Sequence, residues 1–347
     1  MKLSRILLSA FLVTVLSGVL TSCRDELCYN HYPSLGVALN WEYEWERDYG
    51  MHHSDNWDSS VHGFEYGALR PGRPEWVNLI QYSADGERTE TYLAEDETSL
   101  RVSQEEGQSM LLYNGDTEYL IFQDIASLTE ARATPTKRSR SSIAGVIMQH
   151  PGLSTTNPPD LLYSAYIDNI PYVEGHNELH FPIKMQPLVF TYVIRYEFES
   201  GLKHVRQARG ALGGMAESVY LRDSHTSDEA TIILFDCEVT DYGCAAYVRS
   251  FGVPGFPDEY YGRGTTKASD RPYTLNLEVL LTNGSTMEFN FDVADQLLKQ
   301  PKGGVITVKG LTIKEEENKP SESTGGFDVD LSGWNNIEQD LPVGPSC

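Results

Sequence analysis

The chain has 347 residues, with 50 Asp and Glu against 27 Lys and Arg and a formal net charge of -23. An acidic field of that size repels phosphate backbones, which excludes nucleic acid as a partner and leaves cations and surface ligands as the natural company. Gly (29), Pro (17) and Tyr (20) are abundant and long segments of 3.6-residue period are scarce, a mixture that points to an all-β protein built of β-sandwiches.

At the start, Lys2 and Arg5 precede an apolar run from Ile6 to Leu20, closed by Leu20-Thr21-Ser22-Cys23. This is a lipobox: residues 1–22 are expected to be a lipoprotein signal peptide, and Cys23 the lipidated first residue of the mature chain, carrying acyl groups such as palmitate. The run falls short of the roughly 20 residues a membrane span needs, so the protein is expected to be anchored in the outer membrane at the cell surface without crossing it. Loss of Lys2 and Arg5 with the leader leaves 25 basic residues against 50 acidic ones. The remaining length, about 325 residues, exceeds a single core. Two domains are expected, 23–165 and 166–318, followed by a tail, 319–347.

Leu35 to Trp45 alternates, with Leu35, Val37, Leu39, Trp41, Tyr43 and Trp45 on one face, and reads as a half-buried strand. Residues 47–75 lack periodicity and hold Arg47, Arg70 and Arg73. Strands are then predicted at Trp76–Ser83, Thr89–Leu93, Ser99–Val102, Gly107–Asn114 and Tyr119–Phe122, separated by turn residues such as Asp85-Gly86 and Asn114-Gly115-Asp116. Ala133 to Ser142 is basic and poor in apolar residues, which predicts an exposed loop. Asn157-Pro158-Pro159-Asp160 marks a break, and the domain border is expected between about 160 and 175.

The second half opens with Leu188 to Glu199, whose Leu188, Phe190, Tyr192, Ile194, Tyr196 and Phe198 share one apolar face and predict a core strand. Further strands are expected at Val205–Leu212, Ser218–Leu221, Thr231–Val239, Ala245–Phe251, Tyr273–Leu281, Thr286–Val293 and Gly304–Ile313. Val293 to Leu298 predicts one helical turn, stopped by Pro301 and Gly303. Lys314 to Thr324 is charged and Ser-rich. A last alternating segment follows, Phe327, Val329 and Leu331.

No catalytic constellation emerges. Carboxylates are too numerous for pairs to be informative, Gly210 to Met215 lacks the Lys-Ser/Thr of a phosphate loop, and no zinc spacing or cofactor motif occurs. His52-His53-Ser54-Asp55 is the nearest thing to a metal cluster but reads as a solvated loop, since adjacent residues of a strand point to opposite faces. Trp41, Trp45, Trp57 and Trp76 are either core packing or a platform for stacking sugars. Cys237 and Cys244 flank a turn and predict a local disulfide, which an exported compartment permits; Cys28 and Cys347 either pair with each other or are free or intermolecular thiols.

The order of these features resembles the fimbrillin-like lipoproteins of Bacteroidales. The segments that carry the resemblance, beside the lipobox and the early strand ending in Trp-Glu, are Leu212 to Leu221, Arg249 to Phe256, and Phe291 to Gln296 before Gly303-Gly304. The resemblance implies two tandem transthyretin-like β-sandwiches and a structural or adhesive role in fimbriae, with other fimbrial subunits and host or bacterial surface ligands as partners. It further implies assembly by strand exchange: a trypsin-like protease cuts after the first strand, at Arg47, Arg70 or Arg73, and Phe327, Val329 and Leu331 of another subunit enter the vacated groove. A surface glycan-binding lipoprotein of a polysaccharide-uptake system is the alternative on the same features, and an enzyme is not expected.

Overall fold

The computed structural model describes residues 34–94, 99–101, 107–139, 150–170 and 179–318. The signal peptide, Cys23, Cys28, the tail with Phe327, Val329 and Leu331, and Cys347 lie outside the described residues. Within them the protein is almost wholly β. The strands are β1 (Ser34–Trp41), β2 (Trp76–Tyr82), β3 (Arg88–Ala94), β4 (Ser99–Arg101), β5 (Ser109–Asn114), β6 (Leu120–Gln123), β7 (Arg132–Pro135), β8 (Ser154–Thr156) and β9 (Tyr163–Ile167). They continue as β10 (Leu179–Pro187), β11 (Phe190–Ser200), β12 (Val205–Ala216), β13 (Val219–Tyr220), β14 (Ala230–Val239), β15 (Gly243–Ser250), β16 (Thr274–Leu281), β17 (Thr286–Asp292) and β18 (Gly304–Thr312).

Two large sheets organise them. The first has the order β3-β2-β5-β9-β10-β1-β4, and the second β17-β16-β12-β14-β15-β11-β18, with β8 added alongside β14. A small third sheet, β13-β7-β6, joins strands from both halves of the sequence. The early strand β1 lies between β10, parallel to it from Leu35↔Leu179 to Trp41↔Met185, and β4. The second sheet curls on itself, so that Tyr192, Ile194 and Tyr196 of β11 meet Leu275, Leu277 and Val279 of β16 in one core. That is the face read from the alternation of 188–199.

Alternation of side chains dictates what happens at β2 and β5. Val77 and Leu79, with Met110 and Leu112, enter the core of the first sheet, while Ile80, Leu111 and Tyr113 point the other way. A half-buried strand would expose that second set. Here it is buried against Leu188, Val189, Val219 and Phe251, so the first sheet is covered on both faces and the two halves share a core.

Three sequence expectations are corrected. The 165/166 border falls inside β9, and both β9 and β10 belong to the first sheet, so the chain changes sheet between Pro187 and Phe190. The cluster Asn157-Pro158-Pro159-Asp160 breaks a strand without ending a domain; Asp160 instead caps the backbone of Glu118 and Tyr119. The basic stretch expected as an exposed loop begins in β7, and its Arg138 is buried, donating to the Leu234 carbonyl and to Asp236, both at 3.0 Å. Asp236 itself stays exposed, so the guanidinium spans from a buried carbonyl to a surface carboxylate.

The disulfide expected between Cys237 and Cys244 is not formed. The register sets Cys244 opposite Val239, so the two cysteines stand on a diagonal of the β14–β15 hairpin. Such neighbours are about 7–8 Å apart, beyond the reach of a relaxed bridge. Cys244 is fully buried, and burial pushes its thiol up to about 12. The folded protein at pH 8 should therefore leave Cys244 unmodified by iodoacetamide over hours and yield it promptly in denaturant; recovery of a Cys237–Cys244 linked peptide without reductant would contradict this register.

Candidate functional site

Between β1 and β2 the chain makes a long crossing that the sequence shows only as an aperiodic, Arg-bearing loop. Residues 42–75 leave the first sheet, run over the outer face of the second and return. The strap is anchored at Trp45. Its carbonyl accepts the Thr191 amide of β11 at 2.7 Å, and the next-but-one amide, Arg47, donates to the Lys302 carbonyl at 2.9 Å. The strap thus fills the ladder beside β11 where β18 has not yet begun, since β18 pairs with β11 only from Gly304 onward.

The approach is close enough to require glycine at 303, where φ is +79° and an added Cβ would lie 2.8 Å from the Thr191 carbonyl and 3.0 Å from that of Trp45. The Trp45 ring is 1% exposed and donates Nε1–H to the Tyr66 carbonyl at 3.0 Å. Around it gather Trp57 and Tyr66, at centroid distances of 5.7 and 5.3 Å. Further along, His62 stacks on Trp57 at 3.8 Å, Phe64 meets Tyr247 edge-on at 5.4 Å, and the Val61 carbonyl accepts from Arg195 of β11 at 2.7 Å.

Charges follow the same line. Glu42 binds both Lys184 and Arg47; burial raises its carboxyl, but those two cations outweigh it and hold the group below the usual range. Glu46 is raised by burial and accepts from the Tyr66 hydroxyl at 2.7 Å. Lys302 is buried with its ammonium 2.7 Å from the Phe251 carbonyl and over the Phe256 ring, and burial lowers it to about 7.

Where the strap turns back, it walls a cleft of about 550 Å³. The floor is the outer face of β11 and β15, with Thr191, Tyr247 and Arg249. One wall is the strap at 68–72; the other is the β8–β9 linker, with Pro158, Pro159 and Asp160. A smaller recess of about 180 Å³ adjoins it and shares Gly72, Asp160, Leu161 and Arg249.

The candidate cleavage arginines all lie on the strap, but differ. Arg47 is tied through its amide and through Glu42, and its guanidinium lies over Phe190 at 5.6 Å. Arg70 pairs with Glu44 at 3.2 Å and Arg73 donates to the Tyr43 hydroxyl at 2.8 Å. Each of these two precedes a proline, Pro71 and Pro74. The ring fixes φ, removes the amide hydrogen and constrains the preceding residue, so an Arg–Pro bond fits poorly in a protease that cuts after arginine. The histidine pair is split: His52 faces Asp48 in solvent while His53 meets Gln300 at 3.0 Å, and no metal-binding group occurs among the described residues. The tryptophans form no platform. Trp41 packs on Tyr163, Trp76 on Tyr92, and Trp45 and Trp57 are the strap's anchor.

Residues 47–236, from the foot of the strap to the middle of β14, match the family model described as a domain of unknown function, DUF5119. The chain belongs to this family. Among solved structures, a candidate adhesin from Bacteroides ovatus superposes with a TM-score of 0.54 at 17% identity, covering 85% of this chain and 94% of that one. The DUF5119 chain therefore shares its fold. Weaker likenesses are to candidate polysaccharide-binding DUF1812 proteins from Bacteroides thetaiotaomicron (TM-score 0.47, 12% identity, 83% and 100% covered) and to the fimbrial anchor protein Mfa2 from Porphyromonas gingivalis (0.40, 12%, 80% and 90%). No curated protein sequence matches.

Two expectations follow from the strap. Trp45→Ala should lower unfolding stability by about 3–5 kcal/mol in urea, as for a buried tryptophan lost without collapse of its site. Lys302 makes stability depend on pH. Its folded value lies below the unfolded one, so below pH 7 both states hold the proton and the cost of the buried ammonium is fully present. Above 7 the unfolded chain holds more protons, and stability rises with pH. Denaturation midpoints should climb from pH 7 to about 9, short of the range where tyrosines ionise, and Lys302→Met should flatten that slope. An equal slope in the variant would contradict the assignment.

Proposed function

We propose that the protein is a cell-surface lipoprotein, held in the outer membrane through Cys23, that serves as a structural or adhesive subunit of fimbriae. The reading rests above all on one observation: the two-sheet architecture runs with the Bacteroides ovatus candidate adhesin over nearly the whole of that chain. It assigns the protein no enzymatic role.

Assembly is by strand exchange. β1 is the strand to be replaced, because the strap is its covalent link to the strands that follow and it occupies a full parallel register on β10. Its Val37, Leu39 and Trp41 project at every second position into the first core. Phe327, Val329 and Leu331 have the same spacing and can fill those three pockets from another copy, while the main chain pairs with β10. Because donor and acceptor are different surfaces, the addition does not close and yields a fibre. Exchange demands that the link to β1 be cut and that Trp45 leave its site. Cleavage is assigned to the Arg47–Asp48 bond, since Arg70 and Arg73 precede proline; the neighbouring lock on Arg47 makes the cut conditional on loosening of the strap.

Cys23→Ala should release the protein from the outer-membrane fraction; retention there would contradict the anchor. Trypsin-treated mature protein should lose β1 and form higher oligomers, and Arg47→Ala should block both steps. Val329→Asp should stay monomeric after cleavage with an unchanged melting temperature. Normal polymerisation of the Val329→Asp variant, or its outright unfolding, would sink the donor-strand reading.

A further inference from the structure

The cleft beneath the strap contains a charge with no partner among the described residues. Arg249 projects from the outer face of β15 into both the larger cleft and the adjoining recess, and it is half-buried. Each other cation lining these cavities is committed. Arg70 holds Glu44, Arg138 holds Asp236 and the Leu234 carbonyl, and Arg73 donates to Tyr43. The carboxylates are committed too. Asp160 accepts the amides of Glu118 and Tyr119, and Asp116 accepts from the Glu75 amide at 2.9 Å and from Asn114 at 2.8 Å. Arg249 makes no hydrogen bond or ion pair with any described residue. In a chain of net charge -23, a partly desolvated guanidinium left in this way is an anomaly, because carboxylates are abundant and an unpaired charge away from water is costly.

Its surroundings specify more than an anion. The guanidinium fork matches a planar carboxylate in two parallel hydrogen bonds. Asp160 lines both cavities with Arg249 and accepts its two amides on Oδ2, so its Oδ1 faces a ligand as an acceptor, which repels a multiply charged phosphate and favours hydroxyl donors. Tyr247, 48% exposed on the floor beside Arg249, and the prolines 71, 158 and 159 on the walls give flat apolar surface for ring faces. A cleft of about 550 Å³ with a side recess has room for several pyranose rings.

We propose that this cleft binds an acidic saccharide, one carboxylate per recognised sugar, with Arg249 gripping the carboxylate and Asp160 taking hydroxyls. Binding here requires neither lipid anchoring nor strand exchange, because the strap in its uncut position already forms one wall of the site. The soluble, uncleaved monomer is therefore the species that binds.

The test is isothermal titration of the full mature chain carrying Cys23→Ala, at neutral pH and low salt. The titrants are short oligomers of galacturonate, glucuronate, mannuronate and guluronate, sialyllactose, the neutral galactose oligomer, and an Asp/Glu-rich peptide of equal charge. At least one acidic saccharide should saturate with one site per chain and bind at least about tenfold tighter than the neutral oligomer. Arg249→Gln should lose about tenfold or more, Arg249→Lys should fall between, and Tyr247→Ala should weaken the neutral and acidic sugars alike. Since Arg249 has no partner among the described residues, both of its variants should melt with the parent chain, and this is checked by circular dichroism. Failure of the whole acidic panel to saturate, binding unchanged in Arg249→Gln, or capture of the peptide in place of every sugar would each overturn the proposal. None of these outcomes bears on whether the cut chain polymerises.

Discussion

The hydrogen bond from the Thr191 amide to the Trp45 carbonyl fixes where the strap that follows β1 lies relative to the second sheet. β11 is bonded on one side by β15 along its length, but on the other side β18 starts only opposite Tyr192. The residue before that point needs an acceptor, and a buried amide without one is costly. The strap supplies it, and the Trp45 ring secures the strap by filling an aromatic pocket that its own residues 57 and 66 complete. Burial of one large ring and satisfaction of one strand edge thus act at the same place.

Much else follows from that attachment. With the strap held down, Glu42 can serve both Lys184 of the first sheet and Arg47 of the crossing, and the Lys302 ammonium is sealed beneath Phe190 and Phe256. The returning limb of the strap, at 68–72, then closes over β15 and creates the cleft. The same physical link makes β1 expensive to remove. In the first sheet it is one strand among seven; through Trp45 it is also part of the second core's surface. Any exchange of β1 has to disrupt both.

The all-β character, the core face of β11 and most strands of the second half were legible because alternation there is regular and the turns carry Gly, Asn and Asp. β10 was overlooked although Leu179, Phe181, Ile183 and Met185 alternate with His180, Pro182, Lys184 and Gln186; the proline hid a strand that pairs in parallel with β1. The strap could not be read, because its order comes from contacts 100 residues and more away, such as Arg195 to Val61 and Gln300 to His53. Its signal was there in a weaker form: Trp45, Trp57, Phe64 and Tyr66 are too many aromatic rings for a solvated loop. The cleft was likewise invisible. Arg249 lies in a segment that carries the family resemblance, and only the lack of a partner among the described residues singles it out. The two cysteines near the β14–β15 turn show the reverse error, where proximity in sequence suggested a bond that the register denies.

The account stands or falls on the strap being part of the folded core. Amide hydrogen exchange at Thr191 tests that most directly, because its acceptor is the Trp45 carbonyl. Exchange at Thr191 should be as slow as at the central residues of β11, and it should accelerate by orders of magnitude in Trp45→Ala while Ile194 stays protected. Rapid exchange at Thr191 in the parent protein, at the rate of an exposed loop amide, would mean that the strap is not attached and that the cleft it walls does not persist in solution.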